Sequence, residues 1–229
     1  MNPAVSLSNF LIGNLSIKRF ITYISAQFIG GFLGAGAIFV LYHDQISNYE
    51  RSLLQKNETV ELFSLKTASI FATYPNEHLT ILSALFDQIF GTAILIIFVL
   101  ALSDKKNEKM SHGKFLQSSF YIYIIWFYIS SYLASVAAYV GVAVMIIGMA
   151  FGYNCGYAIN PARDLSPRLL TFLAGWGPQV FEFRNYFWIP IAGPAIGSIV
   201  GTVLYYILIG NNWPYNEIET HNKWEITDV

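Results

Sequence analysis

Long uncharged runs of apolar residues separate short charged segments along this chain. Residues 20–42, for example, include no Asp, Glu, Lys or Arg. As a helix this run would rise about 34 Å, enough to cross a hydrocarbon core of about 30 Å. The chain is 55% hydrophobic and only 12% charged, whereas soluble domains are about 25% charged. Since lipid-exposed backbone must satisfy its own hydrogen bonds, the pattern predicts an all-α membrane protein.

Charged segments divide the chain into four predicted spans and their connections. By the positive-inside rule, Lys18, Arg19 and the lysines between 105 and 114 lie on the cytoplasmic side. The polar segment 43–80 is then expected to be an outer loop, and residues 210–229 a cytoplasmic tail. We therefore expect a multi-pass protein of the plasma membrane, with predicted spans at 20–42, 79–103, 133–153 and 186–209.

The tripeptide Asn-Pro-Ala occurs twice, at Asn2-Pro3-Ala4 and at Asn160-Pro161-Ala162. Asn is a favourable N-cap and Pro a favourable first helical residue, so each copy predicts a helix start. The helices that follow, within 1–12 and 160–174, are too short to span a bilayer. Short helices of this kind are expected where irregular backbone lines a cavity at mid-membrane depth. We predict two half-helices that meet tip to tip from opposite faces.

A pair of glycines spaced i, i+4 follows each half-helix, namely Gly30 with Gly34 and Gly193 with Gly197. Small residues at this spacing allow membrane helices to pack closely. The order half-helix, loop and glycine-faced span therefore occurs twice. Such internal repeats at membrane depth are typical of channels and transporters.

The two Asn-Pro-Ala motifs resemble those of the aquaporin, or major intrinsic protein, family. Three further stretches are similar to family sequence: "SAQFIGGFLGAG", "FDQIFGTAILIIFVLALSD" and "GYAINPARDLSPRLLTFLAGWG". The resemblance is to the aquaglyceroporin subgroup, the glycerol facilitators, on four markers: Asp164, Arg168, Pro190 and Ile191. It implies an aquaporin-like inverted-repeat helical bundle that passes water, glycerol and urea without a cofactor. It also implies a homotetramer for the complete protein.

The same resemblance assigns Gly148, Tyr157 and Arg163 to a selectivity filter. A glycine at 148 is expected to leave room for the carbon backbone of a solute. Two helix N-termini and the Arg163 guanidinium would repel cations, including hydronium. The carboxamides of Asn2 and Asn160 could replace lost hydration. Asp164 and Arg168 are expected near the outer vestibule, paired or solvated. Asp87 is expected either to snorkel or, by the resemblance, to hold the backbone amides of a re-entrant loop.

Two departures from the family pattern shape these expectations. The family fold has six spans, so two spans are expected to precede Met1, and this chain then forms an incomplete bundle. The two Asn-Pro-Ala motifs are also far apart, with an atypical insertion within 114–132. That stretch is expected either to lie along the interface or to cross the membrane. A crossing would bring the second half-helix in from the same side as the first.

Other function classes have less support in the sequence. A net charge of −1 gives no electrostatic basis for nucleic-acid binding. No cluster of Cys and His predicts a metal site, and no nucleophile with a base predicts an enzyme. Three alternatives stay open: a water-selective channel, a non-conducting truncated fragment, and an ion-coupled transporter. The last requires a buried acid or base at mid-membrane depth, where the spans offer Asp87 near one end.

Overall fold

The computed structural model describes residues 2–55, 63–104 and 121–212, and its regular structure there is helical throughout. This confirms the predicted fold class of an all-α membrane bundle. Within these described ranges there are eight α-helices: α1 (Pro3–Leu11), α2 (Ile17–Gln55), α3 (Leu65–Ala68), α4 (Ile81–Ser103), α5 (Tyr121–Cys155), α6 (Pro161–Thr171), α7 (Gln179–Glu182) and α8 (Ile189–Tyr205).

Four of these helices, α2, α4, α5 and α8, are long and apolar enough to cross a membrane. Helix α8 continues through a wider, π-type turn to Gly210, and α6 continues in the same way to Trp176. Helices α1 and α6 are the two short ones predicted from the Asn-Pro-Ala motifs. The tail beyond residue 212 lies outside the described residues.

Helix α2 is longer than the predicted span 20–42, because it continues to Gln55. The prediction that residues 43–80 form a loop is therefore wrong for the first part of that segment. A buried carboxylate accounts for the extension. Glu50 is fully buried, accepts a hydrogen bond from the backbone N–H of Phe63 at 2.8 Å, and accepts another from the hydroxyl of Thr67. These bonds fix the end of α2 to the segment that returns toward α4.

Helix α5 runs without a break from Tyr121 to Cys155. The predicted boundary between an insertion at 114–132 and a span at 133–153 is therefore wrong on the part that the structure describes. No Gly or Pro occurs between Tyr121 and Val140, so nothing in the sequence interrupts the helix there. Since residues 121–132 begin the same helix as the span, they are not a separate crossing. Residues 114–120 lie outside the described residues.

The glycines of α8 lie directly against α4. A methyl group at Gly193 would lie 2.5 Å from Cβ of Gln88, and one at Gly197 would lie 2.5 Å from the carbonyl oxygen of Ile89. Close backbone approach of this kind requires glycine. The expectation for α2 is wrong, because Gly30 and Gly34 have nothing within 4 Å. Gly31 makes the close contact instead, with a methyl position 3.0 Å from the carbonyl oxygen of Ala162 on α6.

Candidate pore and its selectivity site

Each Asn-Pro-Ala motif forms the start of a half-helix in the predicted way. Asn2 and Asn160 have extended backbones at the N-caps of α1 and α6. The side-chain oxygen of Asn2 accepts from the Ala4 amide at 2.9 Å, and that of Asn160 accepts from the Ala162 and Arg163 amides at 3.1 and 3.2 Å. Pro3 and Pro161 occupy the next position, where a missing N–H costs nothing.

The N-termini of the two half-helices meet inside the bundle. The side-chain amide of Asn2 donates a hydrogen bond of 2.9 Å to the carbonyl oxygen of Ile159, the residue before Asn160. This bond joins residues 157 positions apart in the sequence. The two Asn-Pro-Ala motifs are therefore neighbours in space.

The half-helices enter from opposite ends of the bundle. Val5 and Ile12 of the α1 segment pack beside Leu100 and Tyr205, near the last residues of α4 and α8. At the other end, the α6 segment finishes at Trp176, whose indole N–H donates to Thr67 at 2.9 Å. A crossing by residues 114–132 would have placed both on the same side, and this arrangement is not observed.

Helix α1 is also fixed to α8 by hydroxyl groups. Ser198 donates to the carbonyl oxygen of Ala4 at 2.7 Å, and Ser8 pairs with Thr202 at 2.8 Å. These side chains are buried, so their hydrogen bonds are formed away from competing water. They determine how far the first half-helix enters the bundle.

The segment between α5 and α6 has an unusual backbone. Tyr157 and Ile159 have φ values of +39° and +36°, in the left-handed region that L-residues rarely adopt. Such conformations cost about 1–3 kcal/mol and persist where the surroundings impose them. Here the amide of Ile159 donates to the side-chain oxygen of Gln88 at 2.8 Å, while its carbonyl accepts from Asn2. The segment is therefore held from both sides.

Gln88, not Asp87, receives the backbone amide of the re-entrant segment. Asp87 is buried, so it does not snorkel, and it accepts from three side chains: Asn154 at 2.6 Å, Cys155 at 3.0 Å and Gln88 at 3.1 Å. The prediction that Asp87 holds the backbone of this segment is therefore wrong, because Gln88 does so. On a helix, adjacent residues point about 100° apart, so the one facing Ile159 cannot be identified from the spacing alone.

The ring of Tyr157 lies on a flat surface made by two glycines of α5. A methyl group at Gly148 would lie 2.9 Å from Cζ of Tyr157, and one at Gly152 would lie 3.2 Å from Cδ1. The expectation that Gly148 leaves room for a solute is therefore wrong, because the tyrosine ring already occupies that space. Gly148 contributes by admitting the ring.

Arg163 lies in the first turn of α6, one residue after the Asn-Pro-Ala motif. Its side chain is exposed and forms no hydrogen bond or ion pair to the described residues. Three guanidinium nitrogens are thus available to a polar molecule. The hydroxyl of Tyr157 likewise has no hydrogen-bond partner among residues 2–55, 63–104 and 121–212.

Asp164 and Arg168 form an ion pair that is buried. Of the two expected arrangements, paired or solvated, the structure has the paired one. Nε of Arg168 lies 2.9 Å from Oδ1 of Asp164, and both side chains are at most 1% exposed. Arg168 also donates to the carbonyl oxygens of Val180 and Thr73, each at 2.5 Å. Asp164 accepts from the amide and hydroxyl of Thr73 at 2.7 and 2.5 Å. The pair therefore fixes two loops to α6.

Tyr74 completes this cluster, with its ring centroid 4.6 Å from the guanidinium carbon of Arg168. Burial raises the pKa of Tyr74 to about 12, although the positive charge of Arg168 acts in the opposite direction. The phenol therefore stays neutral at physiological pH. A neutral ring face is what a guanidinium stacks on favourably.

The geometry agrees with what comparisons with known proteins show. A family model described as major intrinsic protein matches residues 1–205. The chain belongs to the major intrinsic protein family. It is 37% identical over 227 residues to Aquaporin-10 of Milnesium tardigradum, covering 93% of this chain and 49% of that protein. It is also 37% identical over 215 residues to human Aquaporin-10, covering 93% and 63%.

A solved structure has the same fold. The X-ray structure of the aquaglyceroporin from Plasmodium falciparum superposes with a TM-score of 0.66 at 29% sequence identity, over 91% of this chain and 72% of that one. The predicted resemblance to the family and to its aquaglyceroporin subgroup is thereby confirmed. The chain spans between about half and two thirds of the length of the curated relatives named above.

Several residues that build the site of this family member were not predicted from the sequence. They share a positioning role, since each fixes a loop or a half-helix through the contacts described above: Gly31, Glu50, Thr73 and Gln88. Two of the subgroup markers lie in the first turn of α8, where Pro190 is buried and Ile191 follows it. A polar residue inside an apolar span is the one signal that could have identified Gln88.

Replacing Gln88 with leucine should destabilise the fold, because the buried amide of Ile159 then loses its acceptor. A buried group left without a partner costs about 1–3 kcal/mol, which corresponds to a fall in melting temperature of several degrees in detergent micelles. Gln45→Leu is the matched control, since Gln45 is exposed on α2. Equal melting temperatures for the two variants would contradict the assignment of Gln88.

Proposed function

We propose that this protein is a passive membrane channel for water, glycerol and similar small neutral solutes such as urea. One observation carries the proposal: the two capped half-helices meet at Asn2 and Ile159 from opposite ends of the bundle. Each N-terminus is equivalent to about half a positive charge. Two of them at one point repel cations while leaving neutral molecules unaffected, and proton exclusion at Asn2 and Asn160 follows.

Solute selection is proposed to take place beside this junction, at Tyr157 and Arg163. The guanidinium, which has no partner within the described part of the chain, offers donors in a fixed planar arrangement that suits hydroxyl groups. The tyrosine offers an apolar ring face and a hydroxyl, which match the carbon and oxygen edges of a polyol. The similarity to an aquaglyceroporin of known structure supports glycerol as a solute. The proposed assembly is a homotetramer in the plasma membrane.

Transport by reconstituted vesicles tests the proposal. Vesicles containing the protein should shrink quickly in a sucrose gradient and then re-swell quickly when glycerol replaces sucrose. Fast shrinkage without glycerol entry would favour a water-selective channel. Absence of both would overturn the proposal and favour a non-conducting fragment. Empty vesicles provide the baseline for each rate.

Removing the charge of Arg163 should weaken the barrier to cations. For Arg163→Val we expect a proton leak, measured with a pH-sensitive dye inside the vesicles, to rise severalfold while water permeability is retained. Electrostatic barriers of this kind depend on the local charge. Arg19→Val is the control, because it removes another exposed arginine, in the first turn of α2. A leak unchanged by Arg163→Val would remove Arg163 from the proposed barrier.

A further inference from the structure

Two glycines of α5, one turn apart, support the ring of Tyr157. Residues at i and i+4 on a helix lie about 6 Å apart on the same face, a spacing comparable to the length of a phenol ring. The atom nearest to Gly148 is Cζ, at the hydroxyl end, and the atom nearest to Gly152 is Cδ1, near the backbone. The ring therefore lies along the helix with its base on Gly152.

The base of this ring has little freedom to move. Tyr157 has a left-handed backbone, and its neighbour Gly156 has a φ of +73° with a methyl position only 3.0 Å from Cγ2 of Thr73. Thr73 is itself held by Asp164 and Arg168. On the other side, the amide of Gly156 donates to the carbonyl of Gly152 at 3.1 Å. The residue is therefore held by its backbone on one side and by α5 on the other, and Tyr157 also packs against the cluster of Leu95, Ile147 and Ile159.

We infer that Gly152 is a positioning residue for the Tyr157 ring, and through that ring a determinant of which neutral solutes pass. The part of this inference that concerns solute selection rests on the proposed function. A methyl group at position 152 would lie 3.2 Å from Cδ1, closer than ordinary van der Waals contact, so the ring must move off α5. We place its other face on the solute path, and displacement of the ring therefore narrows that path.

Transport by Gly152→Ala tests the inference. Glycerol permeability should fall about tenfold, the low end of what one extra carbon costs in a close-fitting site, while water permeability stays within about twofold. Gly141→Ala is the matched control, because Gly141 lies on the same helix with nothing within 4 Å. Since alanine is favoured over glycine in helices, neither effect can be attributed to a weaker α5.

A double variant separates action through the ring from any other effect. If Gly152 acts through Tyr157, adding Gly152→Ala to Tyr157→Ala should leave glycerol permeability unchanged. The melting temperature should stay the same or rise slightly, because alanine favours the helix. In the parent, Gly152→Ala should lower the melting temperature by about 2–4 °C, the shift expected for about 1 kcal/mol. Equal effects of Gly152→Ala with and without the ring would overturn the inference.

The two proposals fail in different ways. If the parent transports no glycerol, the proposed function fails, and the melting temperatures still decide whether Gly152 positions Tyr157. If the parent transports glycerol and Gly152→Ala leaves both its rate and the melting temperature unchanged, the inference fails and the channel function stands.

Discussion

Replacing Gly197 with alanine should prevent α8 from packing on α4 and greatly reduce the amount of folded protein. The added methyl group would lie 2.5 Å from the carbonyl oxygen of Ile89, 2.8 Å from Cβ of Thr92 and 3.1 Å from Cα of Ile89. The two Ile89 atoms belong to the backbone, so rotation of a side chain cannot relieve the overlap. Forced overpacking costs about 1–3 kcal/mol or more.

Gly30 provides the control for this variant, because it lies on the corresponding span of the first repeat with open space around it. Gly30→Ala should leave the melting temperature unchanged or slightly higher. The measurement is the monodisperse fraction after extraction, followed by melting in detergent. A loss for Gly30→Ala as large as that for Gly197→Ala would contradict the open surface seen on α2.

Breaking the buried pair between Asp164 and Arg168 should have a comparably large effect. In Arg168→Met the carboxylate of Asp164 stays buried without its positive partner, and such changes cost about 3–5 kcal/mol. The two loops that Arg168 holds through Val180 and Thr73 would be released as well. We expect a fall in melting temperature of about 6–20 °C, at 2–4 °C per kcal/mol for a chain of this size.

Two comparisons make this prediction specific. The double variant Asp164→Leu with Arg168→Met should lose less stability than the sum of the single changes, because no unpaired charge is left inside. Asp44→Asn changes a surface contact between Asp44 and His43, whose side chains are 95% and 53% exposed, and it should be neutral. Strict additivity in the double variant would show that the ion pair is not the source of the effect.

Much of the candidate site could be predicted because its chemistry is local. Whether Asn followed by Pro begins a helix depends on residues within one turn, so both half-helices were predicted where they occur. Hydropathy likewise depends on composition over about 20 residues, and the four apolar helices were found from it. Arg163 was identified from the motif that it follows, and its side chain has no partner among the residues that the structure describes.

The errors concern contacts between distant parts of the chain. Helix α2 continues past residue 42 because Glu50 finds its donors at Phe63 and Thr67, and no local pattern contains that information. Gly31, and not Gly30, packs on α6. Which face of α2 is turned toward α6 depends on how the two helices pack, and the sequence of α2 does not contain that information. For the same reason the loop amide is held by Gln88 instead of Asp87, and the space at Gly148 is taken by Tyr157.

By itself, the sequence determined that this chain forms membrane helices and that two short helices begin at Asn-Pro-Ala motifs, since backbone hydrogen bonding and hydrophobicity act over one or a few turns. Only the tertiary structure decided that those two helices enter from opposite ends of the bundle, which residue holds the loop before the second of them, and what fills the space beside that loop. Those outcomes depend on ångström-scale fits between side chains and backbone of different elements, up to 157 positions apart in the sequence, and such fits exist only once the helices have packed.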